Sequence, residues 1–345
     1  MKLFKPWLRW EFFLVVLLGV EMAVFGFINP RFLNVENLLY SSSDFAHIML
    51  AALPLTLVII TGGIDISIAA VMGLASIVLG VTWQAGVDVY TALAVALAVG
   101  VLAGILNGLL VANTDINPLV ITLGTLFLFS GLATAIAGSL GAAGYEGISG
   151  LPREFTRLAH GSVGPVPYTL IFVLVLVLLY SILLHKTRFG RSLYLIGANK
   201  DAARFSGVPV KQSIVTAYAL SSFGGAMAGA MLTAYFTSAR SDLGSDALLP
   251  TITAVVLGGA SILGGSGTIV GSFLAVLILG YLKQGLLALG VTSDVSQVVT
   301  GLLLITVVAL KYWAADLNQL RRNRRALRTR TNLEGGVLPE NQAST

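Results

Sequence analysis

The chain has 345 residues, 56% of them hydrophobic and 11% charged, with 21 Lys and Arg against 16 Asp and Glu. Its mean hydropathy is +0.88. Soluble globular chains carry about 25% charged residues, so this composition excludes an ordinary soluble domain.

Apolar runs of about 20 residues recur along the chain and are continuous, which reads as an all-α, polytopic membrane protein and not a β-barrel. The absence of cysteine removes disulfide and thiolate chemistry. His47, His160 and His185 are scattered, without metal-ligand spacing. No catalytic constellation, cofactor motif or metal set is legible. The glycine run 258–267 lacks the Lys that a phosphate-binding loop requires, and it reads as close helix packing.

The first apolar segment, 12–28, ends in bulky residues at Phe25–Pro30 and carries Glu21, so it reads as an uncleaved span. Nine more segments are expected at 44–62, 66–83, 91–112, 117–138, 167–185, 213–235, 247–263, 268–289 and 296–311. The pairs 44–62/66–83 and 247–263/268–289 meet at short glycine-rich turns, where a broken or re-entrant helix is an open alternative. Between 139 and 167, Gly, Pro and Ser indicate an ordered loop or short surface helices around Tyr145-Glu146-Gly147. Two segments are expected overall, a transmembrane domain over 1–312 and a basic, partly disordered tail over 313–345.

Lys and Arg set the orientation. With the N-terminus inside, sixteen of them fall on inside segments, at the N-terminus, in the loop 186–212 and in the tail. Outside there are only Arg31, Arg153, Arg157 and Arg240. Both termini and the loop 186–212 are therefore expected in the cytoplasm. The basic balance follows from topology and anionic lipid, and does not imply nucleic acid.

Few polar groups lie within spans. Asp65, in Gly62-Gly-Ile-Asp-Ile-Ser67, reads as a helix cap or a pathway residue. Lys283 and Gln284 read as cavity-lining or paired groups. Asn107 and Asn117 suit sugar hydroxyls or helix starts. Glu21 reads as structural. Glycines four apart, at Gly100/Gly104/Gly108, Gly225/Gly229 and Gly267/Gly271, suit close helix approach in lipid. Two internal similarities suggest a repeat. Leu57–Gly63 is similar to Ala254–Gly259, and Asn107–Leu110 to Gln284–Leu287.

The polar loop between the apolar halves reads Phe189–Val210, and its string Asp201-Ala202-Ala203-Arg204-Phe205-Ser206-Gly207 is a short helix closed by a glycine. It resembles the cytoplasmic coupling loop of ribose-type ABC importer permeases, with Asp in place of the family's Glu. Thr61–Ser67, Asn117–Thr125, Ala254–Gly259 and Gly264–Gly267 are also similar to that family. Within it, Ile28–Arg31, Ser43–Phe45, Gly144–Ile148 and Ser238–Gly244 resemble the subgroup that imports autoinducer-2, a furanose-like signal. The family's acid shortly before Ala254–Gly259 is missing from Ala247–Pro250.

The resemblance implies a permease of the bacterial inner membrane without enzymatic activity of its own. It would pair with a related permease subunit, cytoplasmic ATPase subunits and a periplasmic binding protein. Asp201, Ala202, Ala203 and Gly207 would then contact the ATPase. A pentose or deoxysugar permease is the alternative within the family. An ion-coupled transporter is the alternative outside it, with Asp65 as its only starting point.

Overall fold

In the computed structural model, residues 6–139 and 147–299 are described, with 301, 302, 305, 306 and 309. The chain divides into two compact units, Met1–Val298 and Val299–Thr345. The described residues of the second unit are helical. The basic tail expected over 313–345, the N-terminal Lys2 and Lys5, and the Tyr145-Glu146 pair lie outside the described residues.

The first unit is built of α1 (Pro6–Ile28), α2 (Val35–Ser41), α3 (Ala46–Ile60), α4 (Ile68–Gln84), α5 (Val89–Asn113) and α6 (Pro118–Ser139). α7 (Arg153–His160) and a two-residue hairpin, β1 (Ser162–Val163) with β2 (Val166–Pro167), follow. Then come α8 (Tyr168–Lys186), α9 (Arg188–Ala198), α10 (Lys200–Phe205), α11 (Val210–Phe236), α12 (Leu248–Leu257) and α13 (Ile269–Ala288). Seven helices among the described residues are long and apolar enough to cross a membrane, and α4 and the 245–257 helix are shorter apolar pieces. The expected segments 44–62 and 66–83 are thus α3 and α4, joined by a non-helical break at 61–67.

Polar side chains start the helices. Asp88 Oδ2 accepts from Tyr90 N and Thr91 N at the head of α5. Thr268 Oγ1 accepts from Gly271 N at 2.9 Å at the head of α13. Each satisfies amides that have no partner in the first turn.

α3 and α11 form the centre. α3 is buried over nearly its whole length. α11 meets α5 where Gly100, Gly104 and Gly108 sit against Ala226, Tyr218 and Val215, leaving no room for a side chain. This is the close approach that small residues permit in lipid. Gly267 does not belong to such a stripe. It lies before α13 at φ +149, so 267 and 271 are a turn residue and a helix residue. α1, α6 and α8 turn apolar side chains such as Phe12, Phe27, Phe127 and Leu178 outward.

The bundle has two ends. At one, Lys211 Nζ donates to Asn113 Oδ1 (2.8 Å), Gly265 N donates to Ile60 O (2.9 Å) and Trp10 Nε1 donates to Leu257 O (2.9 Å). α9 and α10 lie at this end. At the other, Tyr40 donates to Ser162, Tyr235 to Asp44 (2.7 Å) and Tyr281 to Leu38 O (2.9 Å).

The segment expected as a span over 247–263 is built differently. After α11, Thr237 takes a left-handed conformation, φ 54. The chain then enters the bundle without α-helix, along α4. Ala239 bridges Ile148 and faces Gly80, Arg240 N donates to Ser76 Oγ (3.0 Å), Ser241 O lies over Gly73, and Gly244 lies against Met72 and Ala69. From Gly80 to Ala69 this is roughly 16 Å of descent at the helical rise. α12 completes the crossing, and its ten residues end at Leu257. The crossing is therefore 237–257, with an irregular half of turns and a 3-10 turn at Ser245–Ala247, and a helical half. Residues 258–267 form a glycine turn and not the end of a helix. Non-helical backbone at such depth is tolerated only against protein or a water-filled cavity.

The two similarities read as a repeat divide. Leu57–Gly63 and Ala254–Gly259 occupy matching places, each closing a helix (α3, α12) before a break. Asn107 and Gln284 do not match, because α5 is the second helix after its break and α13 the first.

Candidate functional site

The polar loop folds into a two-helix corner. Thr187 Oγ1 accepts from Gly190 N (3.1 Å) and starts α9. Asn199, at φ −165, interrupts the helix, and its Oδ1 accepts from Ala202 N at 2.8 Å to start α10. Gly207, at φ +77, closes α10, with Gly207 N donating to Arg204 O and Val208 N to Ala203 O, both at 3.1 Å. This positive φ is why a glycine stands there.

Of the expected coupling residues, Ala203 is buried and anchors α10, while Asp201, Ala202 and Gly207 are exposed. The most prominent group is Phe205, 91% exposed on a charged surface. The helical string was legible, but the burial of Ala203 beside the exposure of Phe205 needed the tertiary fold. A cleft of about 590 Å³ runs beside α10, lined by Asn113, Asp115, Lys200, Asp201, Arg204 and Lys211.

Asp65 and Asn107 come together. Asp65 is fully buried in the first break. Its Oδ1 accepts from Ser67 Oγ (2.6 Å) and Ser67 N (3.1 Å), and its Oδ2 accepts from Ser221 Oγ (2.9 Å) on α11. Asn107 Nδ2 donates to Ser67 Oγ at 2.7 Å. Tyr218 Oη and Thr122 Oγ1 both reach Ile64 O at 3.2 Å. One acid thus ties the break to α11 directly and to α5 through Ser67. Asn117 stands apart, exposed, accepting from Leu119 N (2.9 Å) at the head of α6.

Lys283 and Gln284 lie near the opposite end of α13. Lys283 is exposed, and Gln284 Nε2 donates to Asp44 Oδ2 at 2.6 Å. Asp44 also accepts from Tyr235, so it joins the start of α3 to the ends of α11 and α13.

Sequence reasoning placed Ser238–Asp246 outside the bundle. The structure brings it inside, with Asp242, Ser245 and Asp246 exposed along the broken crossing and Arg240 paired to Asp242. The signal was a polar run of the length of half a span, directly before an apolar run too short to cross.

A family described as the branched-chain amino acid transport system / permease component matches residues 37–308. The chain belongs to this permease family. Among curated proteins, it is 48% identical over 306 residues to the autoinducer 2 import system permease protein LsrD of Salmonella typhi, covering 88% of this chain and 92% of that one. It is 50% identical over 299 residues to the LsrD of Yersinia enterocolitica serotype O:8, covering 87% and 90%. It is 49% identical over 299 residues to that of Escherichia coli O9:H4, covering 87% and 91%. No solved structure matches the chain. The chain is a multi-pass permease component of an ATP-binding-cassette importer, not an enzyme.

Proposed function

We propose that this permease imports autoinducer-2 or a closely similar small furanose across the bacterial inner membrane. Identity near one half over almost the full length of LsrD permeases supports that substrate. A pentose or deoxysugar is the alternative cargo. The partners in this reading are a related, LsrC-like permease subunit as heterodimer, two cytoplasmic ATPase subunits and a periplasmic binding protein. Both termini and the α9–α10 corner face the cytoplasm, following the excess of Lys and Arg there.

The observation that carries the coupling role is the short capped helix α10, which projects Phe205 from a charged face. An exposed aromatic ringed by charge suits insertion into a groove of a soluble subunit. Asp201, Ala202 and Gly207 form the surface that the ATPase meets, and Ala203 is the anchor that holds it.

The cargo path in this reading follows the broken crossing 238–247 toward Gln284 and Lys283, because interrupted backbone within a transporter marks where polar cargo passes. Asp65 and Asn107 brace that path from inside the bundle, and Asn117 supports its cytoplasmic rim. Phe205→Ala tests the reading. The variant is expected to insert with unchanged thermal stability and to lose ATP-driven autoinducer-2 uptake. Wild-type uptake would overturn the coupling role. Uptake of a pentose with no uptake of autoinducer-2 would overturn the cargo.

A further inference from the structure

We infer that α9 is the rigid link that carries a displacement of α10 to the second glycine break, pivoting against the first, with Gly197 and Tyr194 as its positioning residues. This rests on the coupling role of α10 proposed above.

The inference follows from how α9 is seated. Gly197 lies directly over the hydrogen bond from Gly265 N to Ile60 O (2.9 Å) that joins the second break to the end of α3. A methyl on Gly197 would overlap both of those atoms. Gly264, at φ +86, has no room for a side chain, since a methyl there would come within 2.8 Å of Gly62 N and 2.9 Å of Gly197 Cα. Backbone from α9, from the first break and from the second break therefore meets at one point with no side chain between them. One turn earlier, Tyr194 Oη donates to Gly267 O at 2.7 Å, so α9 also grips the far side of the second break.

The other end of α9 is seated in the same way, since a methyl on Gly190 would overlap Leu184 O at the end of α8. Only Asn199 separates α9 from α10. Close-packed contacts of this kind transmit displacement because they have no free space to absorb it. Packed elements switch between discrete arrangements. The second break follows directly on α12, the helical half of the broken crossing, so a movement at α10 reaches the segment proposed to line the path.

The test uses the whole assembly with its ATPase subunits and binding protein in lipid vesicles, with autoinducer-2 as solute. Tyr194→Phe removes one hydroxyl and no packing. Basal ATP hydrolysis should hold and the melting temperature should fall by no more than one hydrogen bond accounts for, while solute moved per ATP falls by about fivefold, the equilibrium worth of one net hydrogen bond. Gly197→Ala should abolish coupling altogether.

A second readout needs no transport. The chain has no native cysteine, so spin labels at Leu195→Cys and Leu263→Cys, both exposed sites, report the α9–break distance alone. That distance should be the same with and without trapped nucleotide, and should spread in the Tyr194→Phe background. Wild-type coupling in Tyr194→Phe, or a nucleotide-dependent change of several ångströms in the label pair, would overturn the link. If Gly197→Ala fails to assemble, Tyr194→Phe and the labels decide. Phe205→Ala separates the two readings. Loss of uptake there with normal coupling in Tyr194→Phe leaves the docking role standing and removes the link. Normal uptake in Phe205→Ala removes the docking role itself.

Discussion

The break at 61–67 and the break at 258–267 each follow a helix running to the same end of the bundle, and they touch. They are held by opposite means. The first is pinned by side chains, with Asp65 fixing Ser67 and Ser221 while Tyr218 and Thr122 hold Ile64 O. The second contains no acid and is held mainly by backbone, with Gly259, Gly264, Gly265 and Gly267 at positive φ. A turn fixed by a buried acid resists change because undoing it strands polar groups in a medium without water. A turn fixed by glycine contacts can be displaced as a body without stranding any side chain. The contrast teaches which break is the fulcrum and which is the moving part.

Substitutions can break or sharpen the contrast. The largest effect is expected at Asp65→Ala, which leaves two hydroxyls and an amide without their acceptor. A loss of about 3 kcal/mol is expected, read as a lower melting temperature in detergent, since each buried donor left without its acceptor costs about 1–3 kcal/mol. A shift no larger than that of an exposed substitution would mean the acid does not hold the first break. Gly264→Ala comes next, at about 1–2 kcal/mol for an L-residue in the left-handed region, and it should reduce coupling more than it reduces stability. Equal loss of both would erase the distinction between a moving break and a fixed one. Ser221→Ala removes a single interhelical hydrogen bond and is expected to cost about 0.6 kcal/mol. Gln284→Ala, remote from both breaks, should stay within about 0.5 kcal/mol in thermal unfolding.

Much of this was legible in the sequence, and the gaps have physical causes. Apolar runs located α1, α5, α6, α8, α11 and α13, because burial in lipid requires continuous apolar length. The string Asp201–Gly207 disclosed α10, because a closing glycine acts locally, while the Asn199 cap that starts the helix came only with the structure. Asp65 could be read as a turn residue beside Ser67, but its bond to Ser221 joins residues 156 apart and no local pattern carries it. The entry of Ser238–Asp246 into the bundle was hidden for the same reason. Its depth is set by Gly73, Ser76 and Gly80 on α4, which accept a bare backbone against them. Hydropathy alone sees a polar run with an arginine and assigns it to the outside. The glycines of 258–267 misled in the other direction, since glycine serves both close helices and tight turns and composition does not separate the two.

The claim on which the rest stands is that α10 presents Phe205 to the cytoplasm for an ATPase subunit. Phe205→Cys creates a single labelling site in a chain with no other cysteine. A membrane-impermeant maleimide should label it in inside-out vesicles and not in intact cells, and bound ATPase subunits should block the reaction. Labelling from the outside of intact cells, or labelling in vesicles that the ATPase leaves unchanged, would contradict it.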